Sequence, residues 1–183
     1  DGRTVTTQED IDGAVGIDRV TVDDTRKLAD GSVVETIKRS TPSGTLLDST
    51  VKTTSGDGRL ISIYRDADGD GTRDQYEVTT KAVDGSVSAV IVDLSAANHQ
   101  SSTTQLSTSA DGLSRRTAWD FDGDGTVEQI RWIDVANLGN GITDTKTRHV
   151  FWPSYTFINK TTTYASDDGR NSWTGVDYDA AAG

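Results

Sequence analysis

The chain has 183 residues, enough for one compact domain or a few small repeats, and it carries 29 acidic against 18 basic side chains, a formal net charge of −11. That balance argues against a nucleic-acid partner, which needs a basic face, and against anionic membrane surfaces. It contains no cysteine, so disulfide and thiolate chemistry are excluded, and no apolar run approaches the length needed for membrane insertion.

Taken in chain order, the sequence opens on Asp1-Gly2, which reads as the cut edge of a larger protein, and reaches DIDGAVGID at 10–18. An Asp-Gly turn follows in LADGSVV (28–34), then a strand-like SVVETIKRS (32–40), a loop STPSGT (40–45) and a second strand-like STVKTTS (49–55). After Asp57-Gly58 comes LISIYRD (60–66), whose apolar residues fall on both faces. DADGDGTRD (66–74) leads into QYEVTTKAV (75–83), which alternates and is rich in β-branched and aromatic residues, and then into the turn AVDGSVS (82–88). STSADGLS (107–114) introduces WDFDGDGTVEQ (119–129) and the alternating EQIRWIDV (128–135), with Asn140-Gly141 as the next turn. KTRHVFWPSYTFINKTTTY (146–164) gathers His149, Phe151, Trp152, Tyr155 and Phe157, and YASDDGRN (164–171) precedes a final DYDAAAG (177–183).

The order is periodic. Asp-Gly, then an Asp nine residues after the first, then another two further on, recurs from Asp1, Asp57, Asp111 and Asp168. This divides the chain into repeat unit 1 (1–56), unit 2 (57–110), unit 3 (111–167) and the start of a truncated unit 4 (168–183). Helical periodicity is missing, and Asp-Gly turns supply the positive φ of hairpins. The expected fold is therefore all-β: tandem antiparallel β-meanders with a period of about 54–57 residues and about four strands per unit, stacked as an elongated rod or as propeller-like blades.

The acid loops carry the chemistry. In 66–74, Asp66, Asp68, Asp70 and Asp74 stand at positions 1, 3, 5 and 9, Gly71 at position 6, and Thr72 offers its carbonyl at position 7. In 120–128, Asp120, Asp122, Asp124, Thr126 and Glu128 fill the same places around Gly125. Ca²⁺ takes six to eight oxygens, and alternate residues of a tight loop can aim carboxylates at one centre. An Asx-turn hairpin needs one or two acids for geometry, not four in alternation. Mg²⁺ suits the set less well because it keeps more of its water. Position 12 is Glu77 in one loop and Arg131 in the other, both inside strand-like segments, so position 9 is expected to close each loop and Glu77 to face solvent. The loop at 10–18 keeps Asp10, Asp12 and Asp18 but has Ala14 and Val15 at positions 5 and 6, and 177–183 runs into alanines, so both read as degenerate. For the aromatic run two readings stand: a local core sealing one unit against the next, or a platform for a glycan or cell-surface partner.

On these residues, the TTSADG-type strands alternating with DxDGDGTxDQ loops, the chain resembles the repeat regions of large bacterial hemolysin-type, RTX-associated calcium-binding proteins. A weaker likeness is to YD/Rhs repeats, through DGRLISIYRDADGDGT. The resemblance implies export unfolded, calcium-driven folding outside the cell or at its surface, and a structural or adhesive role. The glycine-rich GGxGxDxUx nonapeptide of true β-rolls is absent. No nucleophile elbow, phosphate loop or histidine motif points to an enzyme, so a calcium-stabilised scaffold is expected, with a carbohydrate- or partner-binding accessory module as the alternative.

Overall fold

The structure, a computed structural model, describes residues 2–139, 141–166 and 168–177. It is all-β, with thirteen strands and no helix among those residues. They are β1 (Gly2–Glu9), β2 (Arg19–Lys27), β3 (Val33–Ser40), β4 (Leu46–Thr54), β5 (Leu60–Asp66), β6 (Gln75–Lys81), β7 (Val87–Leu94), β8 (Gln100–Thr108), β9 (Ser114–Asp120), β10 (Gln129–Asn137), β11 (Ile142–Phe151), β12 (Thr156–Ser166) and β13 (Ser172–Asp177). Each pairs with the next in sequence, giving one open antiparallel sheet. The chain falls into two compact units, Asp1–Thr80 with Ile91–Ser101, and Lys81–Val90 with Ser102–Gly183.

The turns explain the meander. Ser55, Ser109 and Ser166 each donate a hydroxyl hydrogen to the Asp two residues on, at 2.6 Å. The same Asp oxygen accepts the amide two residues beyond it at 3.0 Å. The glycine between them sits at φ 71, 73 and 68° (Gly58, Gly112, Gly169), where a side chain would be strained. The second turn is built alike at Asp30 and Asp84, whose carboxylates take both the amide and the hydroxyl of Ser32 and Ser86. The turn that the sequence places at Asn140-Gly141 includes Asn140, which lies outside the described residues; beside it the Gly139 amide donates to Asn137 Oδ1 at 2.8 Å. Each turn reverses the chain through side-chain bonds that lie within six residues, so local sequence is enough to specify it.

With no helix and no second sheet among the described residues, most side chains on both faces are only half-covered. The buried apolar residues there are Val92, Ala118, Ile130 and Val150. Ala118, Ile130 and Val150 are direct cross-strand partners on β9, β10 and β11, so they form a row across one face. Val127, Trp132, Trp152 and Phe157 close over that row. The aromatic run is thereby divided. Trp152 and Phe157 join this core, whereas Phe151 and Tyr155 are exposed.

Candidate metal centre

Each acid loop joins two neighbouring strands: 10–18 joins β1 to β2, 66–74 joins β5 to β6, and 120–128 joins β9 to β10. In all three, hydrogen bonds of position 9 join the two ends of the loop. Its amide donates to the carbonyl before position 1, Asp18 to Glu9, Asp74 to Arg65 and Glu128 to Trp119, each at 2.8 Å. Its carboxylate also reaches back across the loop to the amide of position 2, from Ile11, Ala67 or Phe121.

Position 1 is the anchor. Asp66 and Asp120 end their strands and are nearly inaccessible, at 7% and 3% exposure. Asp66 accepts the Gly69 amide at 2.7 Å and the Gly71 amide at 3.1 Å on its two oxygens. Asp120 accepts those of Gly123 at 2.6 Å and Gly125 at 3.0 Å. These donors offset the cost of burying a carboxylate. They also curl the backbone so that positions 4 and 6 take positive φ: 76 and 87° at Gly69 and Gly71, 73 and 89° at Gly123 and Gly125. Glycine is needed at position 6 for that reason.

The carboxylates converge. Asp120, Asp122, Asp124 and Glu128 each offer an oxygen within 4.8 Å of the others, so the full side-chain set expected for that loop is brought together. In the other loop Asp66, Asp68 and Asp74 converge in the same way, without Asp70. Asp70 is turned to its own loop, where Oδ1 accepts both the amide and the hydroxyl of Thr72, at 2.7 and 2.6 Å. The hydroxyl bond, then the amide bond, holds the Asp70 carboxyl below its ordinary range. Asp124 accepts the Thr126 amide at 2.6 Å and still lies in the converging set.

Asp10, Asp12 and Asp18 also converge, in the loop the sequence marks as degenerate. There Gly13 at position 4 keeps φ 73°, but the next positive φ falls on Gly16, at position 7. Position 5 contributes no oxygen, because it is Ala14. At the C-terminus, 178–183 lie outside the described residues, so Asp179 cannot be placed beside Asp177. Glu77 belongs to β6 and not to the converging set. It is half-buried rather than fully solvent-facing, with Arg65 Nη2 at 3.5 Å.

What could such a centre hold? The converging atoms are carboxylate oxygens only, a hard donor set that fits Ca²⁺ and offers nothing to metals that prefer nitrogen or sulfur. His149 contacts Gln129 at 3.0 Å and the Trp119 ring at 5.5 Å and is not part of any converging set among the described residues. No protein-family model, curated protein or solved structure matches this chain.

Proposed function

We propose that this chain is a calcium-stabilised structural repeat segment, a spacer or adhesive stalk, of a large secreted or cell-surface bacterial protein. The observation that carries the reading is the convergence of carboxylates in calcium-loop order at 66–74 and 120–128, on anchors already held by backbone amides. Asp66, Asp68, Asp70 and Asp74 with the Thr72 carbonyl, and Asp120, Asp122, Asp124 and Glu128 with the Thr126 carbonyl, are the proposed ligands. Asp70 joins its set by releasing Thr72. Tandem units extend the sheet four strands at a time, and each ion ties the ends of two neighbouring strands. The role is mechanical, because a small apolar core leaves the loops to supply stability that a larger core gives elsewhere.

Calorimetric titration of calcium-free protein, with melting curves in millimolar calcium and in EDTA, tests this. Two bound ions are expected. With dissociation constants of about 0.1 mM, millimolar calcium adds roughly 1.4 kcal/mol per site. Identical melting curves and no binding heat defeat the reading.

A further inference from the structure

Arg131 stands 54 residues after Glu77, and Trp119 stands 54 residues after Arg65. In the N-terminal unit Arg65 and Glu77 form an ion pair at 3.5 Å. In the C-terminal unit the same two strand positions hold a guanidinium 5.6 Å from an indole centroid instead. The cation now stands where the carboxylate was, and the indole stands where the cation was. Asp93, which accepts from Gln75, has as its counterpart across Gln129 an exposed Phe151.

The replacement extends over a whole face. Alternation and register place Trp119, Arg131, His149 and Phe151 on the same side of β9, β10 and β11. No position on that side of β9 to β12 is Asp or Glu, in a chain of net charge −11. Arg115 and Arg131 are exposed there, and among the described residues neither is in an ion pair. Val127 of the acid loop packs on the opposite side, against the row that contains Ile130, while Phe121 of the same loop stacks beside Trp119. Phe121, 53% exposed, lies parallel to Trp119 within 5°, and Phe151 is 47% exposed. His149 is held below its ordinary pKa by burial and then by Arg131, so at neutral pH its ring serves as a neutral hydrogen-bonding group.

We propose that this face binds an acidic carbohydrate: Arg131 receives the sugar carboxylate, Trp119, Phe121 and Phe151 take the apolar ring faces, and His149 meets a hydroxyl. A guanidinium matches a carboxylate in two parallel hydrogen bonds, and exposed rings offer flat apolar area with little loss of side-chain freedom. β9 to β11 are paired on both edges, so recognition must come from side chains and not from an added strand. A partner of the opposite sign is favoured because this face of β9 to β12 bears arginine and no acid, in a chain of net charge −11. Phe121 belongs to the acid loop at 120–128, but Trp119, Arg131, His149 and Phe151 lie on β9 to β11 outside the carboxylate set, so the site goes beyond the loops' structural role.

The test is an array of carboxylate-bearing glycans, their methyl esters and neutral glycans, probed with the full chain at one fixed calcium concentration. Retention of carboxylated glycans and its loss on esterification are expected. Arg131→Gln should weaken binding about tenfold or more, in line with the strength of charged hydrogen bonds. Arg131→Lys, which keeps the charge and loses the fork, should weaken it several-fold, and it replaces the first variant if that one fails to fold by circular dichroism. Phe121→Ala should also weaken binding, while Arg116→Gln on the opposite face should not. The proposal is overturned if no carboxylated glycan is retained, if neutral glycans are held equally well, if Arg131→Lys and Arg131→Gln bind like the parent, or if a poly-glutamate peptide competes as effectively as the glycan.

Discussion

The loops at 66–74 and 120–128 are near copies in sequence, yet they rest on different foundations. Position 8 is Arg73 in one and Val127 in the other. Arg73 lies over the Tyr64 ring at 4.1 Å, above a hollow of about 470 Å³ bordered by Val51, Tyr64 and Asp66. Val127 packs against the row of Ala118, Ile130 and Val150. Position 1 makes the same two amide bonds in both loops. The loop conformation is carried by its own hydrogen bonds, while the packing beneath differs between the two loops. The loop with the apolar foundation is also the one with all four carboxylates converged.

The largest way to break this comparison is to remove the foundation on one side. Ile130→Ala deletes a side chain at 1% exposure and should cost about 2–5 kcal/mol in denaturant unfolding. Tyr76→Ala, at the half-buried counterpart, should cost clearly less. Equal losses would mean that the two loops are supported alike.

A backbone test comes next. Gly69 has φ 76°, and a Cβ there would run into the Leu46 and Leu47 backbone. Gly125 has φ 89° and open space around it. Gly125→Ala should therefore show the conformational strain alone, about 1–2 kcal/mol, and Gly69→Ala more than that. Thermal melts of both variants separate strain from collision.

Position 5 sharpens the difference between the centres. Asp124→Ala should abolish the ion at 120–128 and leave the other, read as the calorimetric stoichiometry falling by one. Asp70→Ala should weaken its own site by a smaller factor, because Asp70 starts bound to Thr72 rather than aimed at the centre. A larger loss at Asp70 would show that releasing Thr72 costs its carboxylate little.

The smallest effect concerns a feature the two regions share. Asp57 and Asp111 are held below the ordinary carboxyl value of 3.8, first by the serine hydroxyl and then by a backbone amide. A depressed folded-state pKa contributes stability that is complete above the unfolded value and disappears as pH falls through the lower, folded one. Asp57→Asn and Asp111→Asn should each narrow the gap in melting temperature between neutral pH and about pH 3, and by similar amounts. A difference between them would show that these turns are not equivalent.

Much of this was legible in the order of residues. The Asp-Gly turns and the hydrogen-bonded ends of the acid loops depend on bonds spanning nine residues or fewer, and they stand where the pattern places them. The aromatic run was less readable. Its members sit close in sequence, but alternation and the register shift between His149 and Val150 send Trp152 and Phe157 to one side and Phe151 to the other. Glu77 and Arg131 were visible only as two different residues at position 12. Their meaning came from what faces them, Arg65 in one case and Trp119 in the other.

By itself, then, the sequence determined the all-β class, the hairpin turns and the candidate ion loops, because each is written in residue types at fixed short spacings that bond to one another directly. Tertiary structure alone decided that Ala118, Ile130 and Val150 form the core row, that Asp70 is turned to Thr72 while Asp124 converges, and that one face of β9 to β12 carries arginine without any acid. The reason is physical: burial and charge balance are sums over cross-strand neighbours, and those neighbours are brought together only when the register of the sheet is set.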